Sequence, residues 1–324
     1  MTTELAGADP DPQVGRFIEN MSALIGQQAI VRDSFCVAVS GGPDSMALLW
    51  LASQAFPGHV LAATVDHGLR PEARSEAEMV AEYCAQHDIP HVILSPDAPI
   101  IGNVQSTARE IRYALMHEWR EAQGVDWLLT AHHADDQMET VLMRLNRSSG
   151  VGGLAGVRAR NGSILRPLLG WRRSELAAIV VEQAVPHVQD PSNDDTRFDR
   201  VRMRGHARNA DWLDPLAIAR SADALADAQD ALEWTVNELA SRYVEDDGQG
   251  GVILTRHDFP REIQRRLILH MLSRLDSDVA SPRGATLDQA LVQLEASKKA
   301  MIGDWLLIGG HSWSIKRAPP RSLV

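Results

Sequence analysis

Phe35–Leu49, FCVAVSGGPDSMALL, decides the fold. Phe35–Val39 is an unbroken apolar run with Val37 and Val39, which suits a strand buried on both faces of a parallel sheet. Ser40, Gly41, Gly42, Pro43, Asp44 and Ser45 follow with no spacer. The two glycines permit a tight turn and close approach of a ligand to the backbone. Pro43 fixes one φ angle, and Asp44 and Ser45 suit a helix start. From Met46 a helix leads away. A glycine-rich turn from strand to helix aims unpaired N–H groups and the positive helix end at an anion, usually phosphate. The loop has no lysine, so it is not GxxxxGK[ST], and it lacks GxGxxG. Taken alone, it also reads as an ordinary strand–turn–helix corner.

Outward from this loop the pattern repeats. Val14–Ile25 precedes it as an amphipathic helix. His59–Val65, Pro90–Leu94 and Trp127–Thr130 read as strands. Glu72–His87, Ser106–Gln123 and a segment from Ala134 to about Arg147 read as helices. Strands alternating with helices of this length predict βαβ units and a doubly wound parallel sheet, Rossmann-like. Ligands in such sheets bind beyond the carboxyl ends of the strands. Polar clusters at 40–45, 66–70 and 131–136 each follow a strand directly, so three loops distant in sequence are predicted to converge on one crevice.

Beyond it, Ser148–Gly156 (SSGVGGLAG) is too glycine-rich to hold a stable helix. It reads as a linker or as a mobile loop over the site. Ile164–Leu169 is extended, and Arg172–Glu182 and Arg197–Arg208 are helical. Leu216–Tyr243 is a long helix bridging to a smaller unit that begins near Asp246. In that unit Val252–Thr255 is a strand, and Arg261–Leu275 and Thr286–Ala296 are helices. Trp305–Ile308 and His311–Ile315 form a hairpin with a two-residue turn at Gly309-Gly310. Trp305 and Trp313 either stack on nucleobases or fill the small core.

The 324 residues suffice for two domains, and 44% hydrophobic with 23% charged residues is ordinary globular material. No run of about 18 uncharged apolar residues occurs, so no membrane partner is expected. The polar, acidic first residues read as a lead-in and not as a signal peptide. The only cysteines are Cys36 and Cys84. They indicate a reducing compartment, the cytoplasm, and read as small buried hydrophobes. Net charge is −11, yet from Arg144 to Arg208 twelve arginines face six acids. That local excess suits a phosphate backbone; compositional bias toward arginine would give the same count.

Asp66-His67 and His132-His133 with Asp135-Asp136 raise a metal site, but adjacent residues point apart and no HExxH or CxxC accompanies them. Phosphate-bound Mg²⁺ is more natural, since it takes one or two carboxylates plus phosphate oxygens. Asp44, Asp135 and Asp136 are the candidates, and Glu139 follows Asp135 by one helical turn. Plain helix N-terminal acids give the same pattern.

SGGPDS at 40–45 resembles the pyrophosphate loop of the N-type ATP pyrophosphatases, the PP-loop superfamily. Together with VDHGLRPEA at 65–73, QSTAREIRY at 105–113, LLTAHHADDQMETVLMRL at 128–145, SSGVGGLAG at 148–156 and DPSNDDTRF at 190–198, it resembles the tRNA(Ile)-lysidine synthetase family over about residues 35–205. The chain departs from that pattern at Ser148, where the family has glycine, and at Val201, where it has asparagine.

The resemblance implies a lead-in and helix at 1–25, a PP-loop catalytic domain at 26–212, and a helical linker with a smaller α+β tRNA-binding domain at 213–324. It implies ATP held by Ser40, Gly41, Gly42, Pro43, Asp44, Ser45, Asp66, His67, Arg109, Arg112, His132 and Asp135, with Mg²⁺ near Asp44 and Asp135. Asp44, Asp136 and Glu139 would serve catalysis, and Arg197, Arg202 and Arg204 would bind tRNA. The implied substrates are tRNA(Ile) with a CAU anticodon and free L-lysine, the implied product lysidine, and the implied assembly a homodimer. The competing readings are a tRNA thiolase, a small-molecule amide ligase of the same fold, and an RNA-binding module with an inactive loop. A thiolase needs reactive cysteines, and an amide ligase needs no arginine-rich segment.

Overall fold

The structure, a computed structural model, describes residues 11–68, 72–96, 104–188, 199–208, 210–278, 282 and 284–319. Chain contacts divide it into two compact units, Met1–Ala226 and Asp227–Val324. The division falls inside a long helix, later than the expected 212/213 boundary.

In chain order the first unit runs α1 Pro12–Ile25, α2 Gln27–Arg32, β1 Phe35–Ala38, α3 Pro43–Ala55, β2 Val60–Val65, α4 Glu72–Gln86 and β3 His91–Leu94. It continues with α5 Val104–Ala122, β4 Trp127–Leu129, α6 Ala134–Leu145, α7 Val151–Leu154, β5 Arg160–Asn161 and β6 Ile164–Leu165. α8 Arg173–Glu182 and α9 Asp199–Arg208 follow, then α10 Pro215–Tyr243, which crosses into the second unit. The sheet order is β3-β2-β1-β4-β6-β5. All neighbours are parallel except the β5–β6 pair at the edge.

The chain winds outward from β1 through β2 to β3, then returns to place β4 on the other side of β1. The strand order reverses between β1 and β4, the place where doubly wound sheets bind ligands, beyond the carboxyl ends of the strands. Side chains alternate across the sheet. Phe35, Val37, Leu129 and Leu165 join α1, α3 and α8 in one core, while Cys36, Ala63 and Leu128 join Met116 in another. α3 is apolar almost all round, with Met46 through Leu49, Leu51 and Ala52 buried. A helix of that kind needs cover on every side, and the sheet, α1 and α8 supply it. The helix that follows the 40–45 loop is therefore a rigid part of the core.

Two expectations about the first unit change. The SSGVGGLAG segment forms one helical turn, α7. It is not a free linker, because α6 binds its backbone. Gln137, fully buried, donates to the Val157 carbonyl at 3.0 Å and accepts from Val157 N–H at 2.7 Å. Arg144 donates to the Gly153 and Gly156 carbonyls. Gly156 has φ +65°, and a Cβ there would lie 2.3 Å from Gln137 Oε1. Only glycine fits so close to that amide.

In the second unit β7 Val244–Asp246, β8 Val252–Leu254, α11 Arg261–Leu275, α12 Gly284–Glu295, β9 Lys299–Ile302, β10 Trp305–Ile308 and β11 Trp313–Arg317 build an antiparallel sheet of order β7-β8-β11-β10-β9. The predicted two-residue turn lies elsewhere. Ile302 pairs with Trp305 across Gly303-Asp304, whereas Ile308 pairs with Ser314, so Gly309-Gly310 sits in a longer connection. Trp313 is 1% exposed and stacks on His257 at 4.5 Å. It fills the core and is closed to nucleobases, while Trp305 packs against the same core half-buried.

Candidate active site

The phosphate loop is held by its own serines. Ser45 Oγ donates to the Gly42 carbonyl at 3.0 Å and accepts from Ser40 N–H at 3.1 Å, with Ser40 Oγ 3.2 Å away. Gly41 has φ +81°, and a Cβ there would meet the Val188 side chain at 3.3 Å. Val188 N–H donates to the Gly41 carbonyl at 2.9 Å. No side chain caps α3, and Pro43 in its first turn has no N–H. The positive helix end therefore faces the loop, with Asp44 the acid in its first turn.

α6 enters from the other side of the switch point. His133 is its N-cap: Nδ1 accepts from Asp136 N–H at 3.4 Å, and Asp136 Oδ2 accepts from His133 N–H at 3.2 Å. His133 Nε2 lies 3.5 Å from Asp44 Oδ2 and 3.5 Å from Asp136 Oδ2, and Nδ1 lies 3.7 Å from Asp135 Oδ2. Burial alone pulls the His133 pKa down. The hydrogen bond with Asp44 and the charges of Asp136, Asp44 and Asp135 outweigh that and leave it raised. The imidazole thus ties the phosphate loop to the α6 carboxylates.

α8 contributes through its backbone. Arg173 N–H, at the positive start of α8, donates to Asp135 Oδ2 at 2.8 Å. In return Ala134 N–H, at the start of α6, donates to the Trp171 carbonyl at 2.9 Å. Two helix N-termini clasp each other, and Asp135 is their shared anion.

Glu139 is 3% exposed and accepts from Arg204 Nε at 2.7 Å. Burial works against the Arg204 charge, but the bond to Glu139 and the charges of Glu139, Asp136 and Asp44 hold it on. α9 thereby places a cation, Arg204, beside the carboxylate cluster. Arg202 is exposed on the same helix, and Arg197 lies outside the described residues.

The third loop brings Asp66 and His67. Asp66 Oδ1 accepts from Gly68 N–H at 2.9 Å and shapes the turn. Arg112 on α5 donates to His67 Nε2 at 3.3 Å. Accepting at Nε2 puts the imidazole proton on Nδ1, which is buried without a partner. Burial, then the neighbouring Arg112, lower the His67 pKa against the pull of Asp66. Arg109 lies over the Tyr113 ring at 5.2 Å, and His132 Nδ1 meets Thr130 Oγ1 at 3.0 Å.

Asp44 Oδ1 is likewise buried without a partner. A carboxylate oxygen left over on a phosphate loop suits a cation that arrives with a nucleotide, so Mg²⁺ fits Asp44. Asp135 keeps only the oxygen that Arg173 does not use. Among the described residues no group of three or more His, Cys, Asp or Glu is arranged to hold a metal. Sequence reasoning passed over His133 as a tether, and the Trp171, Arg173 and Val188 contacts run through backbone atoms, which leave no side-chain signature.

A family model described as a PP-loop domain, ATP_bind_3, matches residues 14–209. The chain is similar to a curated tRNA(Ile)-lysidine synthase of Zymomonas mobilis, 42% identical over 88% of each chain. It is similar to another of Novosphingobium aromaticivorans, 41% identical over 88% of this chain and 89% of that one. Among solved structures, the U34-tRNA thiolase NcsA from Methanococcus maripaludis with its [4Fe-4S] cluster superposes with a TM-score of 0.57 at 14% identity, covering 67% of this chain and 80% of that one. That likeness is one of fold.

Proposed function

We propose a reading of the crevice from one premise: the chain belongs to the tRNA(Ile)-lysidine synthase family of PP-loop proteins. It is an ATP-using ligase that modifies tRNA(Ile). The observation that carries the reading is the meeting of Asp44, His133, Asp136, Glu139 and Arg204 at the β1/β4 switch point, on a phosphate loop with an uncapped helix end.

ATP lies along loop 40–45. O2 of the cytidine at the first anticodon position of a CAU-bearing tRNA(Ile) attacks the α-phosphate, and diphosphate leaves. Free L-lysine then attacks C2 of the adenylated base, AMP departs, and lysidine results. Mg²⁺ bound with ATP at Asp44 and the free oxygen of Asp135 would neutralise phosphate charge. The loop N–H groups and the start of α3 stabilise charge on the phosphates. His67 Nδ1–H and Arg112 offer donors on the opposite wall. The lysine amine must lose a proton to attack. Glu139 is 3% exposed and engaged by Arg204, whereas the Asp136 side chain keeps 18% exposure. Asp136 therefore accepts the proton, and Glu139 holds Arg204 in place. Arg202 meets the anticodon stem. The 227–324 unit has all three lysines of the chain, Lys298, Lys299 and Lys316, on or beside its sheet, and is assigned to the body of the tRNA. The reaction belongs in the cytoplasm, where the tRNA pool is. No helix of the described residues is long and apolar enough to cross a membrane.

A thiolase reading is not favoured. Cys36 and Cys84 are buried, and burial pushes each thiol up to about 12, so neither supplies a thiolate.

The test is incorporation of labelled lysine into a CAU-anticodon tRNA(Ile) transcript by purified protein. Incorporation is expected only with ATP and Mg²⁺ present, and is expected to be abolished in Asp44→Ala. Full activity of Asp44→Ala, or no incorporation by a folded, ATP-binding preparation, overturns the reading.

A further inference from the structure

The corner between β6 and α8 is gripped by α1. Arg16, on α1, has its guanidinium 4.0 Å over the Trp171 ring. Its Nη1 meets Glu175 Oε1 at 2.6 Å and its Nη2 donates to the Gly170 carbonyl at 2.5 Å. One side chain thus engages three consecutive features of the corner. Glu175 passes the hold on, because its Oε2 accepts from Arg172 N–H at 2.6 Å. The next N–H, that of Arg173, holds Asp135. Trp171 passes it on by a second route, since its carbonyl accepts from Ala134 N–H, the residue before Asp135. Asn20, one turn along α1, donates to the Pro167 carbonyl at 3.0 Å and fixes the start of the same segment.

We propose that Arg16 is a positioning residue for Asp135: through Trp171 and the Glu175-capped start of α8, it sets where that carboxylate stands in the ATP site. The proposal rests on the reading of Asp135 as a carboxylate that faces ATP. The Arg16–Glu175 pair is itself more than a third exposed on each side, and exposed pairs contribute little to stability. A planar guanidinium that stacks on an indole while bridging a carbonyl and a carboxylate fixes orientation, which an ammonium cannot reproduce.

The experiment is a double-mutant cycle on the full chain, read by calorimetric titration with ATP in the presence of Mg²⁺. Arg16→Ala is expected to weaken ATP binding about tenfold, the usual scale for loss of an outer-shell partner, while the KM for tRNA stays unchanged. Arg16→Lys, which keeps the charge but not the plane, is expected to fall between. Asp135→Ala is expected to weaken ATP binding, and adding Arg16→Ala to it is expected to weaken binding no further. Additive losses overturn the proposal, because Arg16 would then act by another route. So does a lowered melting temperature with wild-type ATP affinity, which is the mark of a structural role alone. Unchanged ATP binding in Asp135→Ala overturns it too. If the wild type shows this coupling but makes no lysidine, the function reading fails and the positioning role stands.

Discussion

Arg204→Ala separates two roles for one arginine. The guanidinium lies 2.7 Å from a carboxylate that is 3% exposed. At an effective dielectric of about 20 the attraction at that distance is about 6 kcal/mol before desolvation. Removing one member of a buried pair typically costs about 3–5 kcal/mol. In a unit of this size that loss is expected to lower the melting temperature by about 10 °C. Adding Glu139→Gln is expected to recover most of it. Differential scanning calorimetry reads both. A wild-type melting temperature in Arg204→Ala, combined with a flatter salt dependence of tRNA binding, would return Arg204 to the RNA surface and refute the buried pairing.

The exposed neighbour behaves oppositely. Arg202→Ala is expected to leave melting unchanged and to lower the salt slope of tRNA binding by about 1; a change in ATP affinity alone would contradict this. The thiols of Cys36 and Cys84, each pushed up to about 12, have a thiolate fraction of about one in ten thousand at pH 8. Iodoacetamide is expected to spare both in the folded protein and label both in urea, and labelling within minutes of native protein would contradict the burial. Gly156→Ala forces a side chain to φ +65° and into Gln137. With one strained residue and two amide bonds lost, the cost is expected to be about 2–4 kcal/mol, read as a lower urea midpoint; an unchanged midpoint would mean that α7 is not pinned to α6.

The central strands were legible because they are buried on both faces. Phe35–Ala38 and Val60–Val65 are near-continuous apolar runs that give way to Ser40-Gly41 and Asp66-His67, and such ends place a boundary within a residue or so. The second unit gave less. β9, Lys-Ala-Met-Ile, and β7, Val-Glu-Asp, are short and carry charged residues, so neither stands out from a loop. Gly309-Gly310 drew the turn away from Gly303-Asp304 because a glycine pair satisfies the local rule equally well. Only the strand register, a non-local property, decides between them.

The crevice was legible as a place and illegible as a set of bonds. Parallel topology alone sends three polar loops to one edge. Which carboxylate meets which cation depends on partners 65 positions apart, as in Arg204 and Glu139, and on backbone groups such as Arg173 N–H. The arginine-rich stretch shows the same limit. Arg144 and Arg166 donate to carbonyls, Arg160 lies over Trp127, and Arg172 and Arg204 pair with Asp214 and Glu139. Counting arginines therefore overstates the direct phosphate contacts. It does not overstate the field to the same degree. An arginine bound to a carbonyl or laid on an indole is fixed in place yet keeps its whole charge, whereas Arg172 and Arg204 are neutralised by their carboxylate partners. Arg144 braces α7 and Arg166 holds the Arg158 carbonyl, and both keep their positive charge, so one residue serves both the fold and the attraction of a polyanion.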